Sequence, residues 1–171
     1  IRLGLVGSEM CIRDRFVKAC PLIIIASGLV FSYRANVWNI GAEGQMILGA
    51  MFSGYVALYW GGMPAPLLLP AMILAGVLGG LAWAMIPAIL KTRFNTNEIL
   101  VSLMLTYVAV LFIDWTVRGP WRDPMSFGFP LTPMYPDAGM IARVDLPGIG
   151  RLAQLHWGVL GALVLSVAAW F

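Results

Sequence analysis

Asn39, Gly41, Glu43, Gly44 and Gln45 lie within seven residues, read as NIGAEGQ, between two stretches of oily sequence. An amide, a carboxylate and a second amide can hydrogen-bond a polar solute. Two glycines can loosen the backbone and free N–H and C=O groups for the same purpose. Polar groups at membrane depth are costly unless they face a cavity, a partner or water. The segment is therefore a candidate for lining a solute path or forming a hinge, and its carboxylate is expected to look inward at other helices. If helical, it places Asn36, Asn39 and Glu43 on one face. The structural alternative is that Glu43 caps or pins a helix start.

A second group opens a later apolar stretch. Asn97 is followed by Glu98, Ser102 and Thr106 at i, i+4 and i+8, a polar stripe on an otherwise apolar helix. These read as gating or structural residues, the plainer reading being hydrogen bonds between helices made by Ser102 and Thr106. Asp114 and Arg118 are four apart and read as an ion pair at a span end.

Other chemistries lack their parts. The chain has two cysteines and one histidine. Cys11, Cys20 and His156 make neither a disulfide framework nor a metal set. No phosphate-binding GxxxxGK[ST] loop occurs, so the chain is not expected to hydrolyse ATP itself. No Ser/His/Asp set or paired-carboxylate site supports an enzyme. The eleven basic residues are scattered, which argues against nucleic acid.

The elements that must hold these residues are membrane helices. Of 171 residues, 60% are apolar and 11% charged, and mean hydropathy is +0.85. Soluble domains carry about a quarter charged residues. Five apolar segments follow, at about 16–33, 43–60, 67–90, 98–117 and 156–171. None alternates as a barrel strand does, which predicts an all-α polytopic bundle with a broken helix at the polar motif. Gly76, Gly80, Ala84 and Ala88 recur every four residues, as do Gly158, Ala162 and Ser166, spacings that let helix backbones approach in lipid. Trp60, Trp115, Trp121, Trp157 and Trp170 fall near span ends as interfacial anchors, while Trp38 stands beside the motif.

Residues 118–154 carry six of the prolines, too many for a continuous helix. Lys91 and Arg93 place the 91–97 loop in the cytoplasm, whereas the arginines of 118–154 argue for the same side. Residues 1–15 lack an initiator Met and resemble a translated assembly scar, so they are set aside as a non-native or disordered head, leaving 16–171 as the membrane domain.

FSYRANVWNIGAEGQMILGA, then AMIPAILKTRFNTNEILVSLMLTYVAVLFIDWTVRGPWRDP, resembles the membrane permease of a bacterial ABC transporter. The branch is that of branched-chain amino acid and ribose permeases, nearest its nucleoside and simple-sugar uptake members. The resemblance covers 16–171 and departs from the family pattern at Trp38, often Phe, and Thr106, often Asn. It implies a multi-pass protein of the cytoplasmic (inner) membrane. It also implies a second permease subunit, a cytoplasmic ATPase that binds ATP and Mg, and an extracytoplasmic solute-binding protein. The 118–154 segment becomes an extracytoplasmic loop, which resolves the orientation conflict. The family's ATPase-coupling segment follows the fifth span, so the chain is expected to be part of a larger permease and not to transport alone. The rival reading is a proton- or ion-conducting subunit of an energy-converting complex, with Glu43 and Glu98 as relay carboxylates.

Overall fold

A computed structural model describes residues 2–125 and 129–139, with positions 161, 164, 166 and 167, and within the first helix the side chains of Arg15 and of Lys18 onward. Four α-helices are described: α1 Arg2–Arg34, α2 Ala42–Tyr59, α3 Ala65–Phe94 and α4 Glu98–Arg118, followed by a 3-10 turn at Asp137–Gly139. No strand occurs among the described residues. The all-helical expectation holds. Among the described residues, two helices, Pro66–Phe94 and Glu98–Arg118, are long and apolar enough to cross a membrane. The fifth apolar segment and its Gly158/Ala162/Ser166 spacing lie largely outside the described residues, though Gly161, Val164, Ser166 and Val167 are helical.

The chain divides into two compact units, one of 1–36 with 141–171 and one of 37–140. In the first unit, α1 runs unbroken for 33 residues and takes in the stretch before Phe16. Ser27 Oγ donates to the Ile23 carbonyl at 2.8 Å, satisfying its hydroxyl within the helix.

In the second unit, α2 packs most extensively on α3 and next on α4. Glycine makes the α2–α3 approach possible. A Cβ built on Gly49 would stand 2.9 Å from the Gly76 carbonyl oxygen, and one on Gly80 3.4 Å from that of Gln45. The repeat at Gly76 and Gly80 thus lies where the two backbones meet, as small residues do in lipid. Leu48, Met51 and Ala109 form the buried cluster, with Ile47, Trp83, Ile113 and Trp121 against it. Trp121 is thus partly buried against the core, whereas Trp60 and Trp115 are 54% and 61% exposed.

The turn between α3 and α4 is built by three residues. Asn95 ends α3 in the left-handed region, φ 53° and ψ 34°, where asparagine is tolerated better than most residues. Two residues later, the Asn97 side chain accepts from Ile99 N–H at 3.0 Å and caps α4. At the opposite end of α4, the chain from Gly119 folds back over α2. Tyr135 and Trp121 lie against Gly54, and Pro136 against Gly61. The described part of the segment after 118, residues 119–125 and 129–139, is irregular apart from the short 3-10 turn, and 126–128 and 140–154 lie outside the described residues.

Candidate functional site

The polar motif straddles a helix start. Residues 37–40 take no regular secondary structure, and α2 begins at Ala42. Asn36 has φ 59°, so Asn36, Asn39 and Glu43 do not share a helix face; the glycine-punctuated stretch stays out of the helix until Gly41. Asn39 Oδ1 accepts from Gly41 N–H at 3.0 Å, a local turn that competes with helix and delays its start. Gln45 N–H then donates to the Gly41 carbonyl at 3.2 Å, the first helical bond. Glu43 sits in the first turn of α2, where a carboxylate suits the partial positive charge of the N-terminus.

The two groups of residues picked out by spacing meet in one seam. A Cβ on Gly41 would lie 2.7 Å from the Ser102 carbonyl oxygen and 2.8 Å from its Cβ. One on Gly44 would lie 3.0 Å from Thr106 Cα and 3.3 Å from both Thr106 Oγ1 and Trp83 Nε1. Both glycines are buried, as is Ser102 at 3% exposure. The stripe of α4 therefore faces the glycine side of α2. Its hydroxyls bond within α4 rather than between helices: Ser102 Oγ donates to the Ile99 carbonyl at 3.1 Å and Thr106 Oγ1 to that of Ser102 at 3.1 Å. Short side chains that satisfy themselves locally leave room for a glycine backbone to approach.

Glu98 closes the loop end of the seam. The Lys91 ammonium donates to its carboxylate at 2.5 Å, bridging the last turn of α3 to the first of α4. The backbone of Trp38 also bonds to Glu98, tying the segment before α2 to the same corner. From Ser102 to Thr106 the seam covers the second turn of α4 and the start of the third, roughly 6 to 12 Å along the helix from its start at 1.5 Å per residue.

Glu43 lies on another side of α2. It is exposed within the 37–140 unit, and its carboxylate has no hydrogen-bond or ion-pair partner among the described residues. Asn39 and Gln45 are half-buried. The structure thus gathers Gly41, Gly44, Ser102 and Thr106 by packing, ties Asn97 and Glu98 to the adjoining turn, and leaves Glu43 pointing away from α3 and α4. Asp114 and Arg118 pair as their spacing implies, Arg118 Nε donating at 2.8 Å.

Trp83 was not picked out by spacing. Its Nε1 is buried at the junction of α2, α3 and α4, beside Gly44 and Thr106, with no hydrogen-bond partner among the described residues. A tryptophan in mid-span, away from the interfacial ends, was the available signal. No group of three or more His, Cys, Asp or Glu occurs among the described residues that could hold a metal ion.

Among the described residues α3 and α4 are of membrane length, and α2 is seated on α4 through Gly41 and Gly44, an arrangement that fits a helical membrane protein. A family model described as branched-chain amino acid transport system, permease component, matches residues 12–171, and the chain belongs to that family. It is 36% identical over 168 residues to the glucose ABC transporter permease protein TsgB13 of Haloferax volcanii, across 95% of this chain and 44% of that protein. The guanosine ABC transporter permease protein NupP of Bacillus subtilis is 30% identical over 169 residues, 98% of this chain and 47% of its own. A second Bacillus subtilis guanosine permease protein, NupQ, is 32% identical over 164 residues, covering 91% of this chain and 49% of its own. The chain spans about half the length of the curated relatives it matches. No solved structure matches.

Proposed function

We propose that this chain is part of the membrane permease subunit of an ABC importer and contributes to the path of a small polar solute, a nucleoside or a sugar. The observation that carries the reading is the packing of Gly41 and Gly44 on Ser102 and Thr106, which fixes α2 against α4 and turns Glu43 off the seam. A carboxylate facing acyl chains at the membrane centre costs about 2.5–3.5 kcal/mol on insertion scales. Its exposed side is therefore better matched to a water-filled path or to another helix of the assembly. Asn39 and Gln45 flank it and supply amides. A cytoplasmic ATPase in a separate subunit powers the cycle. A second permease subunit completes the path, and an extracytoplasmic binding protein delivers solute. The subunit spans the cytoplasmic membrane several times, with the 91–97 turn inside. The named relatives support import over proton conduction, and Glu98 is already matched by Lys91 rather than standing as a relay carboxylate.

The test is uptake of labelled guanosine and glucose by cells expressing the intact permease with its own ATPase and binding protein. ATP-dependent accumulation of one solute class, lost when the permease is omitted, is the expected result. Accumulation of neither, with a proton leak in proteoliposomes, would favour the rival reading.

A further inference from the structure

Trp121 stands between two hollows at the end of the 37–140 unit away from the 95–97 turn. The first is a cavity of about 500 Å³ lined by Ala57, Tyr59, Trp121, Arg122 and Pro136 among others. Arg122 is exposed, and its guanidinium has no hydrogen-bond or ion-pair partner among the described residues. Arg118, four residues before it, is already matched by Asp114. The neighbouring Asp123 carboxylate accepts from Met125 N–H at 3.0 Å. Arg122 thus lines the cavity as a cation without a bonded partner among the described residues, next in sequence to the Asp123 carboxylate.

The second hollow is a groove of about 310 Å³ lined by Phe52, Tyr55, Phe112, Trp115 and Trp121 among others, with no polar atom exposed on its wall. The two hollows share Trp121 in their walls. Tyr55 lies one turn before Tyr59, their rings 4.6 Å apart. On α4, Phe112 and Trp115 stack at 5.8 Å. Charge stands at the helix ends and oil runs inward from it, along the direction in which α4 is long enough to cross a bilayer.

We infer that the two hollows form one binding site for an anionic glycerophospholipid, its phosphate on Arg122 and an acyl chain in the aromatic groove. Guanidinium and phosphate form strong charge-assisted hydrogen bonds, the chemistry by which an arginine can hold a phospholipid head group. A free phosphate ion would leave the groove unused. A docking apolar helix would leave the guanidinium unused. Only a molecule with both parts matches both hollows. The inference rests on the reading of these helices as membrane-spanning, and it is independent of which solute is carried.

Native mass spectrometry of the intact permease in detergent tests it, with four probes: phosphatidylglycerol, phosphatidylcholine of the same chains, glycerophosphoglycerol and inorganic phosphate. Phosphatidylglycerol is retained over phosphatidylcholine by several-fold, because the two share the phosphate that meets Arg122 but choline brings a second cation beside the guanidinium. The preference disappears in Arg122→Gln and returns in part in Arg122→Lys. The two chainless probes are not retained. A preference that survives Arg122→Gln, or equal retention of the two lipids by the unaltered protein, overturns the inference, and so does binding of a chainless probe as tightly as the lipid. A protein that stays dispersed without detergent overturns the membrane reading and this one with it. Lost lipid selectivity in a detergent-requiring protein overturns this one alone.

Discussion

Gly44 and Thr106 are in backbone contact: the space a Cβ on Gly44 would need ends 3.0 Å away at Thr106 Cα. A neighbour that is backbone cannot swing aside as a side-chain tip can. Any residue larger than glycine must push α2 off α4, and Gly41 against the Ser102 carbonyl is tighter still at 2.7 Å. Gly41→Ala and Gly44→Ala should each lower the stability of the intact permease in detergent by about 1–3 kcal/mol, the cost of overpacking a tight contact. Gly28→Ala, at a position with nothing within 4 Å, is the control and should be neutral or slightly stabilising. Thermal unfolding of the three variants decides. Equal midpoints would mean that α2 and α4 do not meet where the structure has them.

The turn between α3 and α4 makes two opposite demands on two asparagines. Asn97→Ala removes the cap on Ile99 N–H and should cost about 1 kcal/mol. Asn95 holds a left-handed conformation, where Asn95→Ala should cost roughly 1–2 kcal/mol and Asn95→Gly little. Thermal unfolding separates the pair: Ala damages both sites, whereas Gly is tolerated at 95.

Lys91 and Glu98 join the ends of α3 and α4 through a partly exposed ion pair. Such pairs are screened by salt. Glu98→Gln and Lys91→Met should each lower the melting temperature slightly at low ionic strength, the double variant no more than either alone, and high salt should erase the difference. Additive losses would mean that the two residues act separately.

How much of this could be read from spacing follows from the physics of each feature. The Asp114–Arg118 pair was legible because both residues sit on one helix and the four-residue interval alone brings them together. So was the polar face of Ser102 and Thr106. The identity of its partner was not, because periodicity orders residues along one helix and says nothing of which helix lies opposite. That Gly41 and Gly44 fill that place is a fact of tertiary packing. The common helix face proposed for Asn36, Asn39 and Glu43 failed because Asn36 adopts positive φ and Asn39 turns onto Gly41 N–H, both local options that asparagine offers in competition with helix. Trp121 reads as an anchor from its place after a span. It is partly buried against the core because the chain folds back there, which no local signal announces.

Glu43→Gln isolates charge from shape. The carboxylate has no partner among the described residues, so its neutralisation should cost no more than about 0.3–1 kcal/mol of stability, the worth of a charge at a helix N-terminus. If the exposed side of α2 borders the solute path, uptake by the intact transporter should fall at least several-fold with folding unchanged. Unchanged uptake and affinity would remove Glu43 from the path.

Trp83 offers the sharpest separation of packing from hydrogen bonding. Its ring packs against the Leu48, Met51 and Ala109 cluster, while its Nε1 is buried without a partner among the described residues. A buried donor left unpaired costs about 1–3 kcal/mol. Trp83→Phe removes that donor and keeps an aromatic ring, so the lost volume and the relieved donor oppose each other and the net change should be small. Trp83→Ala discards the packing too and should cost about 3–5 kcal/mol. Thermal unfolding of both variants gives the comparison. A large loss in Trp83→Phe would show that the indole N–H is bonded in the working protein, at the junction where α2, α3 and α4 meet. Reduced uptake in that variant with unchanged stability would instead make the N–H a contact of the transported solute.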